Sequence, residues 1–79
     1  MMVLQMFSTV GCHLCELAVK QIQQLPPALM IQLEIIEIGD DDALVEQYGT
    51  RIPVLRFADS SELNWPFTQQ DILQQLAAL

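Results

Sequence analysis

The residues of this sequence best suited to chemistry are two cysteines in the segment Cys12-His13-Leu14-Cys15. They are the only cysteines of the chain, and they follow an apolar run, residues 2–7, at the start of a segment with helical periodicity. Two thiols three residues apart in the first turn of a helix can form a disulfide within that turn. The positive end of the helix dipole favours the thiolate of the first cysteine. The spacing therefore predicts dithiol–disulfide chemistry at Cys12 and Cys15.

The residue types alone leave two other roles open for this pair. The cysteines could pack in the core as reduced side chains, or they could supply half of a zinc or iron–sulfur site. A closed zinc site needs four ligands, whereas this segment offers two cysteines and His13. A metal site here would therefore need a second chain or glutathione to complete it.

Composition limits the class of protein and its partners. The chain has 79 residues, of which 52% are hydrophobic, so packing must stabilise one small domain, residues 1–79. Three basic against ten acidic residues give a net charge of −7, which argues against nucleic acid and anionic membranes as partners. Without a long apolar segment or a basic N-terminal region, we expect a cytoplasmic protein. In that compartment Cys-x-x-Cys is more often redox-active or metal-binding than structural.

Hydrophobic periodicity predicts a strand at residues 2–7, a helix at 12–25 and a second strand at 30–38. Five apolar residues recur at helical spacing in this helix: Leu14, Leu17, Ala18, Ile22 and Leu25. Pro26 and Pro27 end it, because proline lacks the backbone N–H that a helix needs. The first half of the chain therefore has a βαβ order.

Three aspartates at residues 40–42 begin the next predicted helix, which ends near Tyr48. Aspartate at this end of a helix accepts hydrogen bonds from free N–H groups and complements the dipole. Three consecutive side chains point in different directions around a helix, so we expect capping here and not a metal site.

The second half adds a strand at residues 52–57, a turn at Asp59-Ser60-Ser61 and a short strand at 62–64. Thr68-Gln69-Gln70-Asp71 resembles a capping box with Asp in the usual Glu position, so it predicts the start of a last helix. Four apolar residues lie on one face of this helix: Ile72, Leu73, Leu76 and Leu79. We expect Trp65-Pro66-Phe67 to pack the helix onto the sheet.

The chain resembles the thioredoxin-fold oxidoreductases and, among them, the small glutaredoxin-like proteins. The resemblance depends on residues 11–15 (Gly-Cys-His-Leu-Cys), on residues 48–55 (Tyr-Gly-Thr-Arg-Ile-Pro-Val-Leu) and on the order of elements. It implies an α/β, thioredoxin-like βαβαββα fold, in which a four-stranded mixed sheet carries helices on both faces. It also implies that Cys12 attacks the substrate, that Cys15 resolves the mixed disulfide, and that Pro53 is cis and faces the dithiol.

Four further residues are candidates for substrate binding under this resemblance: His13, Arg51, Ile52 and Pro53. A protonated His13 would favour the Cys12 thiolate, unless it is only a solvent-facing helix residue. Arg51 would attract a carboxylate of glutathione or of a protein substrate, unless it is a plain solvated loop residue. A cis turn at Pro53 would leave the Ile52 backbone free to pair with an extended substrate. The alternative is a trans proline at the start of a strand.

The chain also departs from the families that it resembles. Glutaredoxins that use glutathione carry a lysine before the first cysteine, a tyrosine inside the motif and a Gly-Gly pair followed by Asp. This chain has none of these, so we predict weak glutathione binding. Thioredoxins carry a buried acid beneath the dithiol, whereas residues 1–11 contain no charged side chain. Proton transfer at Cys15 would then use water, or Glu16 if its side chain turns inward.

We therefore expect a dithiol–disulfide oxidoreductase that acts in cell redox homeostasis on protein or small-molecule disulfides. It would need no prosthetic group, and glutathione or a reductase would serve as the thiol reductant. The alternative is a non-catalytic thioredoxin-fold binding module or a dimeric metal or iron–sulfur carrier.

Overall fold

A computed structural model describes residues 2–79 and confirms the predicted class and order of elements. The strands and helices are β1 (Met2–Ser8), α1 (His13–Gln23), β2 (Ile31–Glu37), α2 (Asp42–Tyr48), β3 (Val54–Arg56), β4 (Glu62–Asn64) and α3 (Gln69–Ala77). A short 3-10 helix, Pro27–Leu29, joins α1 to β2 and was not predicted. Its first residue is a proline, which suits the start of a helix because no N–H partner is required there.

The four strands form one mixed sheet in the order β2-β1-β3-β4. Strand β1 pairs in parallel with β2 and antiparallel with β3, so it lies inside the sheet. The parallel register runs from Met2 opposite Ile31 to Ser8 opposite Glu37. The loops that follow β1 and β2 therefore leave the sheet at the same edge.

Alternation along the strands divides the core between the two faces of the sheet. Met6 and Leu55 belong to a buried cluster that also contains residues of α1 and α3. Phe7 and Val54 belong to a second buried cluster with Tyr48 of α2. Since adjacent strand residues point to opposite faces, α1 and α3 cover one face and α2 covers the other, as expected.

The buried stripe of α1 is narrower than the sequence pattern indicated. Cys15, Ala18 and Ile22 are buried, whereas Leu14 is 44% exposed and Leu17 is 37% exposed. Each exposed leucine precedes a buried residue by one position, and so lies about 100° around the helix from it. The buried stripe of α3 is narrow as well: Ile72 and Leu76 are buried, whereas Leu73 and Leu79, which lies beyond the helix end, are exposed.

Side-chain caps define the starts of α2 and α3. Asp41 is the N-cap of α2, and its Oδ1 accepts hydrogen bonds from the backbone N–H groups of Ala43 and Leu44, at 3.0 and 3.2 Å. Thr68 and Asp71 form the predicted capping box: the Asp71 N–H donates to Thr68 Oγ1 and the Thr68 N–H donates to Asp71 Oδ2. Asp41 thus has the predicted capping role, and Asp42 is the acidic residue in the first turn of the helix.

The segment before α3 packs as expected. Phe67 is buried in the cluster that contains Ile72 and Leu76, and Trp65 packs against that cluster. The two aromatic rings meet edge to face, with centroids 5.1 Å apart. Within residues 2–79, no helix has both the length and the apolar character needed to cross a membrane.

Candidate active site

The loop between β1 and α1 turns tightly before it reaches the first cysteine. The Cys12 N–H donates to the Thr9 carbonyl at 3.2 Å. Gly11 has a φ of +81°, a left-handed conformation that side chains disfavour, although a Cβ there would meet nothing within 4 Å. Backbone conformation, and not crowding, is therefore the reason for glycine at this position.

Cys12 is the N-cap of α1 and lies just outside the helix, which was predicted to begin at this residue. Its sulfur accepts a hydrogen bond from the backbone N–H of Cys15 at 3.2 Å. In the reduced protein, an N–H directed at this sulfur favours the thiolate over the thiol, in the same sense as the helix dipole. The sequence placed Cys12 at the helix end, and the structure makes its side chain the cap itself.

Cys15 has a different environment from Cys12. It is 3% exposed and lies in the core cluster beneath α1. Cys12 is partly exposed and packs against the edge of the same cluster. The two sulfurs are joined in a disulfide, with the Cα atoms 5.3 Å apart. Cys12 is therefore partly accessible to solvent, whereas Cys15 is shielded from it.

A shallow pocket of about 220 Å³ opens beside the dithiol, and both cysteines line it. Much of its wall is apolar, and Glu16 is a carboxylate residue at its rim. The Glu16 carboxylate lies 3.7 Å from Nδ1 of His13, an ion pair when the imidazole is protonated. The side chain of His13 is 80% exposed, so this residue of the Cys-x-x-Cys motif lies at the surface. Its part in substrate binding stays a prediction.

The segment that precedes β3 lies at the same edge of the sheet as the Cys12 loop, because Val54 pairs with Phe7. The Ile52–Pro53 peptide bond is cis, as the resemblance implied, and the Trp65–Pro66 bond is cis as well. Pro53 is fully buried. Substrate binding by Pro53 remains a prediction.

The backbone of Ile52 is not entirely free, in contrast to the sequence-based expectation. Its N–H donates to the carbonyl of Tyr48 at 3.1 Å. The same carbonyl also accepts a hydrogen bond from the Arg51 N–H at 2.8 Å. The turn that closes α2 thus uses the N–H of Ile52, and substrate binding by the Ile52 backbone stays a prediction. An extended substrate would have to pair with the Ile52 carbonyl or displace this bond.

Arg51 is held against the sheet by internal partners. Its guanidinium donates to Glu62 at 3.1 Å and to Asn64 at 3.0 Å, and it lies 5.1 Å from the centre of the Tyr48 ring. The hydroxyl of Tyr48 donates to the other oxygen of Glu62 at 2.6 Å, and this bond raises the pKa of Tyr48. A substrate carboxylate would have to compete with Glu62 for Arg51, a partner that the sequence did not reveal.

Glu37, at the end of β2, was not singled out in the sequence but contacts the dithiol loop. One carboxylate oxygen accepts from the Val10 N–H at 3.0 Å, and the other accepts from the Gly39 N–H at 2.6 Å. The N–H of Gly39 and the hydroxyl of Thr9 are the main groups that hold the pKa of Glu37 below its usual range. The only sequence signal for this role would have been the parallel register that sets Ser8 opposite Glu37.

The described residues contain no ready-made metal site. Across residues 2–79, no three or more His, Cys, Asp or Glu side chains come together in a way that could hold an ion. A carrier that used Cys12 and Cys15 would need its other ligands from a second molecule.

Two solved structures are similar to this chain along nearly its whole length. The first is the X-ray structure of the Northeast Structural Genomics target protein XcR50 from X. campestris, at 37% identity and a TM-score of 0.84, covering 96% of this chain and 97% of that one. The second is the NMR structure of protein Ne2328 from Nitrosomonas europaea, at 28% identity and a TM-score of 0.80, covering 94% and 89%. The comparison with curated proteins gave no match.

The family comparison agrees with the geometry of the site. Residues 3–77 match the sequence profile described as Glutaredoxin-like domain (DUF836). This range includes the Cys-x-x-Cys segment, the cis-proline turn and all three helices. Because the match spans nearly the whole chain, this protein belongs to the glutaredoxin-like family that the profile describes.

Proposed function

We propose that this protein is a dithiol–disulfide oxidoreductase that exchanges protein or small-molecule disulfides through Cys12 and Cys15. The observation that supports this best is the unequal exposure of the two cysteine residues. Cys12 is the partly exposed N-cap of α1, and Cys15 is bonded to it from inside the core. A nucleophile at the surface with a shielded second thiol is the arrangement that two-step thiol exchange requires.

The reaction proceeds in two displacements. The Cys12 thiolate attacks one sulfur of the substrate disulfide, and the other substrate sulfur leaves as a thiolate that takes up a proton. Cys15 then loses its proton and attacks the Cys12 sulfur, which releases the second substrate thiol. Two electrons pass to the substrate and the Cys12–Cys15 disulfide remains. A thiol reductant, either glutathione or a reductase, restores the dithiol by the same steps in reverse.

The contacts of Arg51 favour a reductase over glutathione as the reductant in this cycle. Glutathione carries two carboxylates, and Arg51 already pairs with Glu62. The chain also lacks the lysine and the Gly-Gly-Asp segment noted above. In the cytoplasm, the expected location, a reducing poise would keep the pair available as a dithiol.

The decisive experiment compares Cys12→Ser and Cys15→Ser with the unsubstituted protein in the reduction of a protein disulfide. Cys12→Ser should abolish the reaction, because no other thiol is accessible. Cys15→Ser should form a mixed disulfide with the substrate that mass spectrometry detects and that only added thiol resolves. Mixed-disulfide formation by Cys12→Ser in place of Cys15→Ser would refute the assigned roles.

The same preparation distinguishes an enzyme from a metal carrier. Freshly purified protein should show no near-ultraviolet or visible absorbance from a cluster and no stoichiometric metal. A coloured dimer with bound iron, without disulfide exchange, would contradict the proposal and support the carrier. A colourless protein that binds partners but exchanges no disulfide would support the binding module.

A further inference from the structure

We infer that Glu37 is a positioning residue for Cys12, whose carboxylate fixes the loop that presents the nucleophile. This inference depends on the proposed function, since it assigns Glu37 a role at the same site. It rests on a continuous series of hydrogen bonds between β2 and the cysteine.

The first step in this series joins two loops at one carboxylate. Glu37 accepts hydrogen bonds from the Val10 N–H in the loop after β1 and from the Gly39 N–H in the loop after β2. The Thr9 hydroxyl is a further group that favours the ionised carboxylate and lowers its pKa. Because β1 and β2 are parallel and end opposite each other at Ser8 and Glu37, the side chain needs to span only the gap between adjacent strands.

The second step leads from that loop to the nucleophile. The carbonyl of Thr9 accepts a hydrogen bond from the Cys12 N–H. The Thr9 carbonyl and the Val10 N–H belong to the same peptide group, so this group is bonded to Cys12 on one side and to Glu37 on the other. The Cys12 sulfur accepts a hydrogen bond from the Cys15 N–H. Any displacement of Thr9 would therefore move this sulfur relative to its donor.

Packing does little to hold this loop, so the hydrogen bonds decide its position. Val10 is 91% exposed, and a Cβ at Gly11 would touch nothing within 4 Å. At Gly39, in contrast, a Cβ would lie 3.0 Å from the Glu37 carboxylate and 3.2 Å from the Thr9 hydroxyl oxygen. The glycine therefore gives the carboxylate room between the two loops.

The set of donors requires a carboxylate of this length. Two backbone N–H donors from different loops meet the two oxygens, and a carboxylate is acceptor-only with about four lone-pair sites. The amide of Glu37→Gln would turn an N–H₂ group toward one of the donors. The side chain of Glu37→Asp is one methylene shorter and cannot reach both loops in the same geometry.

These two variants separate positioning from a simple charge effect. A negative charge near Cys12 opposes its thiolate, so a charge effect alone would make Glu37→Gln faster in alkylation and leave Glu37→Asp unchanged. Positioning predicts losses in both variants. Glu34→Gln is the matched control, because Glu34 lies on the same strand and, among residues 2–79, its carboxylate accepts only from the Gln5 side chain.

The experiment measures kcat and KM for a protein disulfide, and the pH profile of Cys12 alkylation by a small reagent. Glu37→Gln and Glu37→Asp should lower kcat about 3- to 10-fold with little change in KM. Their alkylation profiles should move to higher pH, while Glu34→Gln matches the parent. Thr9→Val, which removes the Thr9 hydroxyl, should also lower kcat and move the alkylation profile to higher pH, but each by less than the Glu37 variants do. If the Glu37 variants do not fold, Thr9→Val provides the test.

Parent-like turnover and alkylation in both Glu37 variants, or faster alkylation in Glu37→Gln alone, would overturn the inference. An unsubstituted protein without turnover would refute the proposed function instead. The alkylation profile does not need turnover and would still test the position of Cys12.

Discussion

Cys12 and Cys15 are three residues apart but differ in the two properties that determine thiol reactivity. Cys12 is accessible and has a backbone N–H directed at its sulfur, whereas Cys15 is 3% exposed. In the reduced protein we therefore expect a small alkylating reagent to label Cys12 at least about tenfold faster than Cys15 at pH 6. Mass spectrometry of the labelled peptides against time gives both rates, with the unfolded protein as the control. Faster labelling of Cys15 would reverse the assigned roles.

The individual residues also show what could be predicted from the sequence and what could not. The dithiol was evident because its signal is a local spacing of three residues. Two carboxylates with distant partners were not: Glu37 bonds to Val10, 27 residues away, and Glu62 pairs with Arg51, 11 residues away. The first contact depends on the parallel register of β1 and β2, and the second on where the turn after α2 lies relative to β4. The Tyr48 carbonyl as partner of the Ile52 N–H was not foreseen either, because the turn after α2 was predicted only in outline.

Among the elements, α3 was predicted best, because its start has a strong local signal. Thr68 and Asp71 satisfy two backbone N–H groups that would otherwise lack a partner within the helix. Thr68→Ala removes one of these bonds and should lower the free energy of unfolding by about 1 kcal/mol. For a chain of this size that corresponds to a fall in the melting temperature of about 4–8 °C. Thermal unfolding followed by circular dichroism measures it.

A matched control for this variant is Thr50→Ala, at an exposed position in the loop after α2. It should leave the melting temperature unchanged within about 2 °C, because an exposed loop threonine caps no helix. Equal losses in both variants would mean that the capping box does not stabilise α3.

The sheet explains why α1 carries apolar residues that it does not bury. Its buried residues are Cys15, Ala18 and Ile22, and Val19 packs against the same cluster. Leu14 and Leu17 remain exposed. A wide buried stripe and a narrow stripe with apolar surface beside it give the same helical spacing in the sequence. Periodicity alone therefore cannot distinguish them.

The stability of the protein should depend on acid pH through two carboxylates. Hydrogen bonds from Gly39 and Thr9 lower the pKa of Glu37, and those from the Ser61 hydroxyl and N–H lower the pKa of Asp59. Folding therefore favours the ionised forms. The two carboxylates therefore contribute to the free energy of unfolding at pH values above their pKa in the unfolded chain, roughly 4 for both residues. This contribution is lost as the pH falls through their lower pKa values in the folded protein. Urea unfolding at pH 6, 4 and 3 should show that loss.

Two substitutions test the source of this dependence. Glu37→Gln and Asp59→Asn should each flatten the fall in stability between pH 6 and 3, because neither variant has the carboxylate to titrate. The corresponding control is Glu46→Gln on the exposed side of α2. A parent-like pH dependence in both test variants would show that other groups cause the loss.

Tyr48 produces the opposite dependence in alkali. Its bond to Glu62 raises the pKa of the hydroxyl in the folded protein, so the folded state binds this proton more tightly than the unfolded state. The contribution of Tyr48 to the free energy of unfolding is fully present below its pKa in the unfolded chain, about 10, and is lost as the pH rises through its pKa in the folded protein. Unfolding measured from pH 8 to 11 should show this decline in stability, and the decline should be smaller in Tyr48→Phe. An equal decline in that variant would exclude Tyr48 as the cause.

The charge of the protein as a whole should select among disulfides. The net charge is −7, with three basic side chains. Two of these have partners within the protein: Arg51 pairs with Glu62, and Arg56 donates to Gln5 and lies over the Phe7 ring. At low ionic strength we expect the dithiol to reduce cystamine, a cation, several-fold faster than neutral hydroxyethyl disulfide, with dianionic dithiodiglycolate slowest.

Salt tests whether this order is electrostatic, because the Debye length falls from about 30 Å at 0.01 M to about 3 Å at 1 M. The three rates should therefore converge as salt is added, after correction for the rate of each disulfide with a free small thiol. Glu16→Gln removes a carboxylate that lines the dithiol pocket and should reduce the preference for cystamine. Asp59→Asn also removes one carboxylate, but this residue lies in the hairpin turn after β3. That turn is at the opposite end of β3 from Val54, which pairs with Phe7, so Asp59→Asn should leave the preference for cystamine unchanged. An order that persists unchanged at 1 M salt would show that the shape of the site, and not its charge, selects the substrate.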